Sequence, residues 1–182
     1  MSRKKVIVTK IKKYQQADDP YFPSFPYYSL SSPSIKQIIK KLITKIMLRG
    51  EKSKAWKILY LTFEHLKKET GQDPLVILEE AVKELEPKLE TKKKRLGGVS
   101  QLIPNEVDPE RGVCLALRWL VETARKGTRK KKRKGIGRPM FYCLAQEIIK
   151  ARQKTGEAFK KKEIEQQKAK DSIAFASFAY RS

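Results

Sequence analysis

A nucleophilic reaction needs a serine, cysteine or threonine beside a base, with a third group to orient that base. The chain supplies one histidine, His65, next to Glu64 in a lysine-rich helical stretch, where it reads as a surface residue. Cys114 and Cys143, with that single histidine, fall short of a four-ligand zinc site and of a disulfide framework, so both read as packed, reduced thiols. Metal-assisted cleavage of a nucleic acid would need a cluster of carboxylates. The acids instead fall at helical spacing from lysines, as in Glu64 with Lys68, Glu80 with Lys83 and Glu84 with Lys88, which is the pattern of solvated ion pairs. Neither GxGxxG nor GxxxxGK before serine or threonine occurs, so no loop is expected to cradle a nucleotide's phosphates. No cofactor, metal or reaction is expected.

Binding has far more support. Forty-two Lys and Arg stand against twenty Asp and Glu, a net charge of +22 in 182 residues. Self-repulsion of that size calls for a polyanion, and each cation that neutralises a nucleic-acid phosphate gains affinity by releasing counterions. Three sets of cations stand out. Lys92, Lys93, Lys94 and Arg95 fall in a ribbon whose alternating side chains would present charge on both faces. Arg125 and Lys126 precede a run of six cations, Arg129, Lys130, Lys131, Lys132, Arg133 and Lys134, which reads either as an RNA-binding loop or as a flexible basic linker. Lys160, Lys161 and Lys162, joined by Lys36, Lys40 and Lys41, fit either an RNA-facing or a solvated helix face. Trp56 and Trp119 lie within helices and read as core residues, not stacking platforms.

The elements that must carry these groups are mostly helices. Ile35, Ile38, Ile39, Leu42, Ile43, Ile46 and Met47 make an apolar stripe at 3.6-residue spacing. Ser34 with Gln37 reads as its capping box and Gly50 as its end. A second helix is expected over 51–70, stopped by Gly71. A third is opened by Asp73 and Pro74 and closed by Pro87. Residues 88–107 hold a Gly97–Gly98 pair amid too few apolar residues for a core strand, and predict a projecting basic hairpin. Asp108 and Pro109 open a fourth helix that Gly127 should stop, leaving a basic loop over 127–138. Pro139 opens a fifth, ended by Gly156, and a sixth covers about 158–170. The expected fold is therefore mainly α: a six-helix, bundle-like domain over 34–170 with a protruding basic β-hairpin between the third and fourth helices. Residues 1–33 read as an extended basic and aromatic arm, and 171–182 as a tail.

By blocks the charge is +9 over residues 1–50, +2 over 51–100, +7 over 101–150 and +4 over 151–182, which no tail binder would show. No run of 18 apolar residues exists to span a membrane, and the basic start lacks the apolar stretch of a secretory signal. A mitochondrial presequence is left open by a start poor in acids but built from lysine.

The residues from 86 to 120, with Arg95, Gly97, Gly98, Pro104, Glu106, Arg111 and the run Leu115, Ala116, Leu117, Arg118, Trp119 and Leu120, resemble the family of small-subunit ribosomal protein seven. Ile46, Met47, Gly50, Lys52, Ile58, Leu59 and Thr62 upstream are similar to that family's helical signature. Ala158, Lys160, Lys161, Lys162, Glu163, Ala174, Phe175, Ala176 and Phe178 resemble its last helix and tail. Glu51 stands where the family usually has lysine, Ser177 and Ala179 where it tends to have histidine and arginine, and the 127–139 segment is longer than in bacterial members.

The resemblance implies a structural, non-enzymatic protein that binds the 3′ major domain of small-subunit rRNA and nucleates assembly of the subunit head. It implies that the hairpin lies near exit-site tRNA and mRNA, with small-subunit proteins nine, eleven and thirteen as neighbours. The expected RNA contacts are Lys92, Lys93, Lys94, Arg95, Arg111 and Arg118. Arg3, Lys4, Lys5, Lys36, Lys40, Lys41, Lys52, the run 129–134 and Lys160, Lys161 and Lys162 stand behind them. Gly97 and Gly98 would shape the hairpin tip. The alternative is a free DNA-binding or architectural protein, though no recognition helix or minor-groove wedge is evident. A metal-dependent nuclease ranks third. The 31 Lys to 11 Arg and the Ile-rich helices suit an A·T-rich genome, which favours an organelle, mitochondrion before plastid, with a bacterial cytosol as the other reading.

Overall fold

The computed structural model describes residues 33–96, 98–133 and 138–173. Their order is α1 (Pro33–Ile46), α2 (Lys52–Thr70), α3 (Pro74–Leu85), β1 (Leu89–Leu96), β2 (Val99–Glu106), α4 (Pro109–Arg133), α5 (Met140–Arg152) and α6 (Glu157–Asp171). Six helices and a two-stranded antiparallel hairpin between the third and fourth are thus present, as the periodicity requires. The expected arm and most of the tail lie outside the described residues.

Local chemistry explains most boundaries. The Asp73 carboxylate accepts the Leu75 N–H at 3.0 Å, and Pro74, which has no N–H to leave orphaned, fills the first helical position of α3. Gly71 ends α2 in the left-handed conformation at φ 68°, its N–H returning to the Lys67 carbonyl. Arg49 and Gly50, at φ 52° and 76°, turn the chain between α1 and α2.

The core lies where α5 packs on α2, α3 and α4, with α1 laid across α2 and α4. Leu59, Phe63 and Leu66 of α2, Ile77, Leu78 and Leu85 of α3, Leu117 and Leu120 of α4, and Leu144 and Ile148 of α5 are fully buried. Trp56 is buried and Trp119 packs half-buried against the same cluster, so both serve the core. Arg125 reaches from α4 to the end of α1 and donates to the Lys45 and Ile46 carbonyls at 2.9 and 3.1 Å. Those carbonyls would otherwise lack partners at the helix terminus.

Four expected boundaries are corrected. α1 stops at Ile46, short of Gly50, which lies in the turn that follows. α1 begins at Pro33, so Ser34 sits inside the first turn instead of capping it, consistent with the preference of proline for that turn. Gly156 does not end α5, which stops at Arg152; it precedes α6 as its N-cap, at φ 99°. The largest correction is α4, which runs through Gly127 to Arg133 where a basic loop was expected. Extending an existing helix costs far less than nucleating one, and cations in a last turn complement the helix dipole. Thr128 bonds back to the Ala124 carbonyl at 3.1 Å, and Gly127 lies against Cys143 of α5.

A Cβ at position 127 would meet only Cys143 Sγ at 3.8 Å and its Cβ at 3.9 Å, ordinary contact distances. Gly127→Ala should therefore stabilise the fold, by up to about 1 kcal/mol in urea unfolding, through helix propensity. A loss of stability would show that the chain leaves the helix at this position.

Candidate nucleic-acid interface

The register pairs Thr91 with Pro104, Lys92 with Ile103, Lys93 with Leu102, Lys94 with Gln101 and Arg95 with Ser100. Opposed residues share a face and successive ones alternate. Lys92 and Lys94 therefore occupy one face of the ribbon and Lys93 and Arg95 the other. Leu96 pairs with Val99, which leaves Gly97–Gly98 as a two-residue connection; Gly98 has φ 87°, and Gly97 lies outside the described residues. Val99 is exposed at this end. Eight-residue strands carry the tip about 26 Å from the first pair.

At the other end the ribbon is fastened to the helical body. Glu90 is only 7% exposed, and Arg111 of α4 donates its Nε–H to both Glu90 oxygens, at 2.9 and 2.8 Å. Lys92 Nζ lies 3.6 Å from the same carboxylate. On the opposite face the Thr91 hydroxyl donates to Glu165 of α6 at 2.8 Å. Arg111 was singled out by sequence as an RNA contact; its guanidinium is already engaged with the hairpin.

The other cations divide in the same way. Arg118 is exposed on α4, and Lys160 is exposed on α6. Lys161 forms a 2.6 Å ion pair with Glu122, and its hydrogen bond holds the Glu122 pKa below the usual carboxylate value. Lys162 turns inward, donates to the Glu84 carbonyl at the end of α3 and lies over the Phe159 ring at 5.6 Å. Burial lowers its pKa from the ordinary lysine value. The triplet 160–162 is therefore one outward cation and two that join α6 to α3 and α4.

On α1, Lys41 lies 3.7 Å from Glu110, and Lys36 is half-buried. Lys40 and Lys52 edge a groove of about 330 Å³ whose floor includes Ile43, Met47 and Trp56. Arg129, Lys130, Lys131, Lys132 and Arg133 ride on the last turns of α4, while Lys134, Arg3, Lys4 and Lys5 lie outside the described residues.

Pairs at helical spacing do form, as in Glu79 with Lys83 at 3.1 Å and Glu165 with Lys168 at 3.5 Å, but the three acids singled out above find other partners. Glu80 binds Arg152 at 2.6 Å and Glu84 binds Lys154 at 3.4 Å, each across from α3 to α5 or the turn after it, while Glu64 accepts the Tyr60 hydroxyl. A cation on a neighbouring element can reach a carboxylate without bending along its own helix, which spacing within one helix cannot reveal. His65 is likewise not a plain surface residue: half-buried, it packs 4.9 Å from the Tyr142 ring with Nδ1 3.5 Å from Glu69. Among the described residues, no group of three or more His, Cys, Asp or Glu could hold a metal, and no helix is long and apolar enough to cross a membrane.

One half-buried acid differs from these. Glu147 of α5 borders a cleft of about 230 Å³ with Thr123, Tyr142 and Glu157, and its Oε2 is buried without a hydrogen-bond partner. Burial pushes its pKa above the ordinary 4.5, against the pull of Lys150. A carboxyl whose pKa is raised on folding holds its proton more tightly when folded, so stability falls as pH rises from about the unfolded value through the folded one. Glu147→Gln should raise the urea midpoint at about pH 7 and leave it unchanged at about pH 3, where both states carry the proton. Equal midpoints for the two proteins at neutral pH would contradict this.

Comparison with known proteins adds an independent line. The family model described as ribosomal protein S7p/S5e matches residues 2–172. Small ribosomal subunit protein uS7 of Dictyoglomus thermophilum is 44% identical over 143 residues, covering 79% of this chain and 86% of that protein. The uS7 of Synechococcus is 43% identical over 144 residues, 79% and 87% of the two chains, and uS7c of Tupiella akineta is 40% identical over 144 residues with the same coverage.

Proposed function

Since the chain belongs to the ribosomal protein S7p/S5e family, whose members are structural parts of the ribosome and not enzymes, we propose that it acts in the small subunit by binding its rRNA. The observation that carries this reading is a basic ribbon with cations on both faces, projecting from a body in which acids such as Glu80, Glu84 and Glu122 are engaged with cations of neighbouring elements. Such a ribbon can cross several phosphates or enter a wide groove, and phosphate contacts position a protein on folded RNA without reading its sequence.

Lys92, Lys93, Lys94, Arg95 and Arg118 are the leading contacts in this reading. Lys36, Lys40, Lys52, Lys160 and the cations at the end of α4 form the supporting faces, with Gly97 and Gly98 narrowing the tip. The resemblance further supports the 3′ major domain as the RNA target, a role in nucleating the head, nearby exit-site tRNA and mRNA, and proteins nine, eleven and thirteen as neighbours. The relatives named above are bacterial or plastid-type, which lends the mitochondrial expectation no support.

Affinity for a 3′-major-domain fragment, measured by filter binding across a salt series, should fall linearly on a log–log plot, with a slope of about −0.7 to −0.9 per phosphate neutralised. Replacing Lys92, Lys93, Lys94 and Arg95 together by glutamine should weaken binding and flatten the slope by roughly that amount for each phosphate no longer neutralised. An affinity indifferent to salt, or equal affinity for duplex DNA of the same length, would defeat the reading.

A further inference from the structure

A ribbon that delivers four cations to RNA needs a direction as well as a charge. Two strands alone are marginally stable and strongly twisted, so the tip would sample many orientations if only the base pairing held it. The sequence contains a feature that charge alone does not explain: the acid Glu90, placed two residues before the cationic run and facing the same side as Lys92 and Lys94. An anion there reduces the field that the ribbon offers to phosphate. It is also nearly buried, and a buried carboxylate is costly unless hydrogen-bonded partners compensate it.

Its geometry supplies the reason. Glu90 receives Arg111 from α4 on one face of the ribbon, while the adjacent Thr91, on the other face, donates to Glu165 of α6. The two contacts come from different helices and meet the same strand from opposite sides, so rotating the ribbon towards either helix must break the other contact. Charged hydrogen bonds are both stronger and more directional than neutral ones.

We infer that Glu90, Arg111, Thr91 and Glu165 form a two-sided clamp that fixes the direction of the hairpin before RNA arrives. These are positioning residues: Arg111 acts on RNA through Glu90 rather than as one more free cation. This inference rests on the RNA-binding reading above.

The sign of a single substitution separates the clamp from simple electrostatics. Removing a negative charge beside a phosphate-binding ribbon should strengthen binding if charge is all that counts. A clamp predicts the reverse, because the apparent affinity falls with the fraction of molecules in the competent orientation. Glu90→Gln should bind the 3′-major-domain fragment about tenfold more weakly with an unchanged salt slope, as expected if about a tenth of the molecules remain aligned.

Arg111→Gln and the Glu90→Gln/Arg111→Gln double variant should weaken binding by the same factor and not its square, since residues acting as one unit are not additive. The exchange of Glu90→Arg with Arg111→Glu should recover most of the affinity. Thermal melting followed by circular dichroism reports whether the body remains folded. Should the Glu90 variants unfold, Thr91→Val, which suits a strand and cuts only the α6 side, carries the test with a several-fold weakening expected.

Failure of the wild-type protein to bind the fragment would sink the RNA-binding reading itself. Wild-type binding with Glu90→Gln equally tight or tighter would overturn the clamp alone. So would an Arg111→Gln variant whose salt slope drops by one phosphate while Glu90→Gln leaves affinity intact.

Discussion

Forty-two cations against twenty acids repel one another whenever the chain is compact, and the apolar contact of α5 with α2, α3 and α4 has to outweigh that repulsion. The core is correspondingly conservative: mostly leucine, isoleucine and alanine, with two valines, Phe63, Trp56 and Cys143, almost wholly sealed from water. Screening by salt weakens the repulsion between exposed charges, but it leaves the buried apolar area untouched. The attraction that holds the fold and the repulsion that opposes it therefore respond differently to salt.

The fold also lowers the repulsion by using some cations internally. Arg125 closes the end of α1, Lys162 closes the end of α3, Lys161 ties α6 to Glu122, and Arg152 joins α5 to Glu80. Carbonyls at helix C-termini are the natural sinks for such groups, because both the unmatched acceptors and the dipole favour a positive partner. A cation engaged in this way has part of its charge matched within the fold, while Arg118 and Lys160 stay exposed on α4 and α6. Which cations are used structurally thus follows from where helix ends and carboxylates of neighbouring elements fall, not from the density of lysine along the chain.

That is also why the sequence reveals the elements better than the site. The starts of α3 and α4 are legible because Asp73–Pro74 and Asp108–Pro109 act within one turn, and the stripe of α1 is legible because its period is local. The hairpin follows from a glycine pair amid charged residues. Gly127 misleads because the same residue that ends one helix can sit inside another when a neighbour such as Cys143 packs close to it. Lys160, Lys161 and Lys162 are indistinguishable as a triplet, and only the neighbouring α3 and α4 separate them. Arg111 and Glu90 lie 21 positions apart, beyond the reach of any spacing rule.

The extra length of α4 changes what the body can do. Its 25 residues span about 37 Å at the rise of an α-helix. Near its first turn Arg111 holds the hairpin, in its middle Leu117 and Leu120 enter the core, and along its last turns lies the run of cations that a loop would have left free. A loop would carry those charges to RNA only by giving up conformational freedom on binding, at about 1 to 2 kcal/mol for each residue fixed. On a helix already anchored by the core, most of that cost is met in folding. The base of the hairpin and the last turns of α4 are consequently held at a fixed separation by one element, which in the proposed reading would present both to RNA in a defined arrangement. In that reading charge would favour the encounter with RNA, and α4 would make its geometry reproducible.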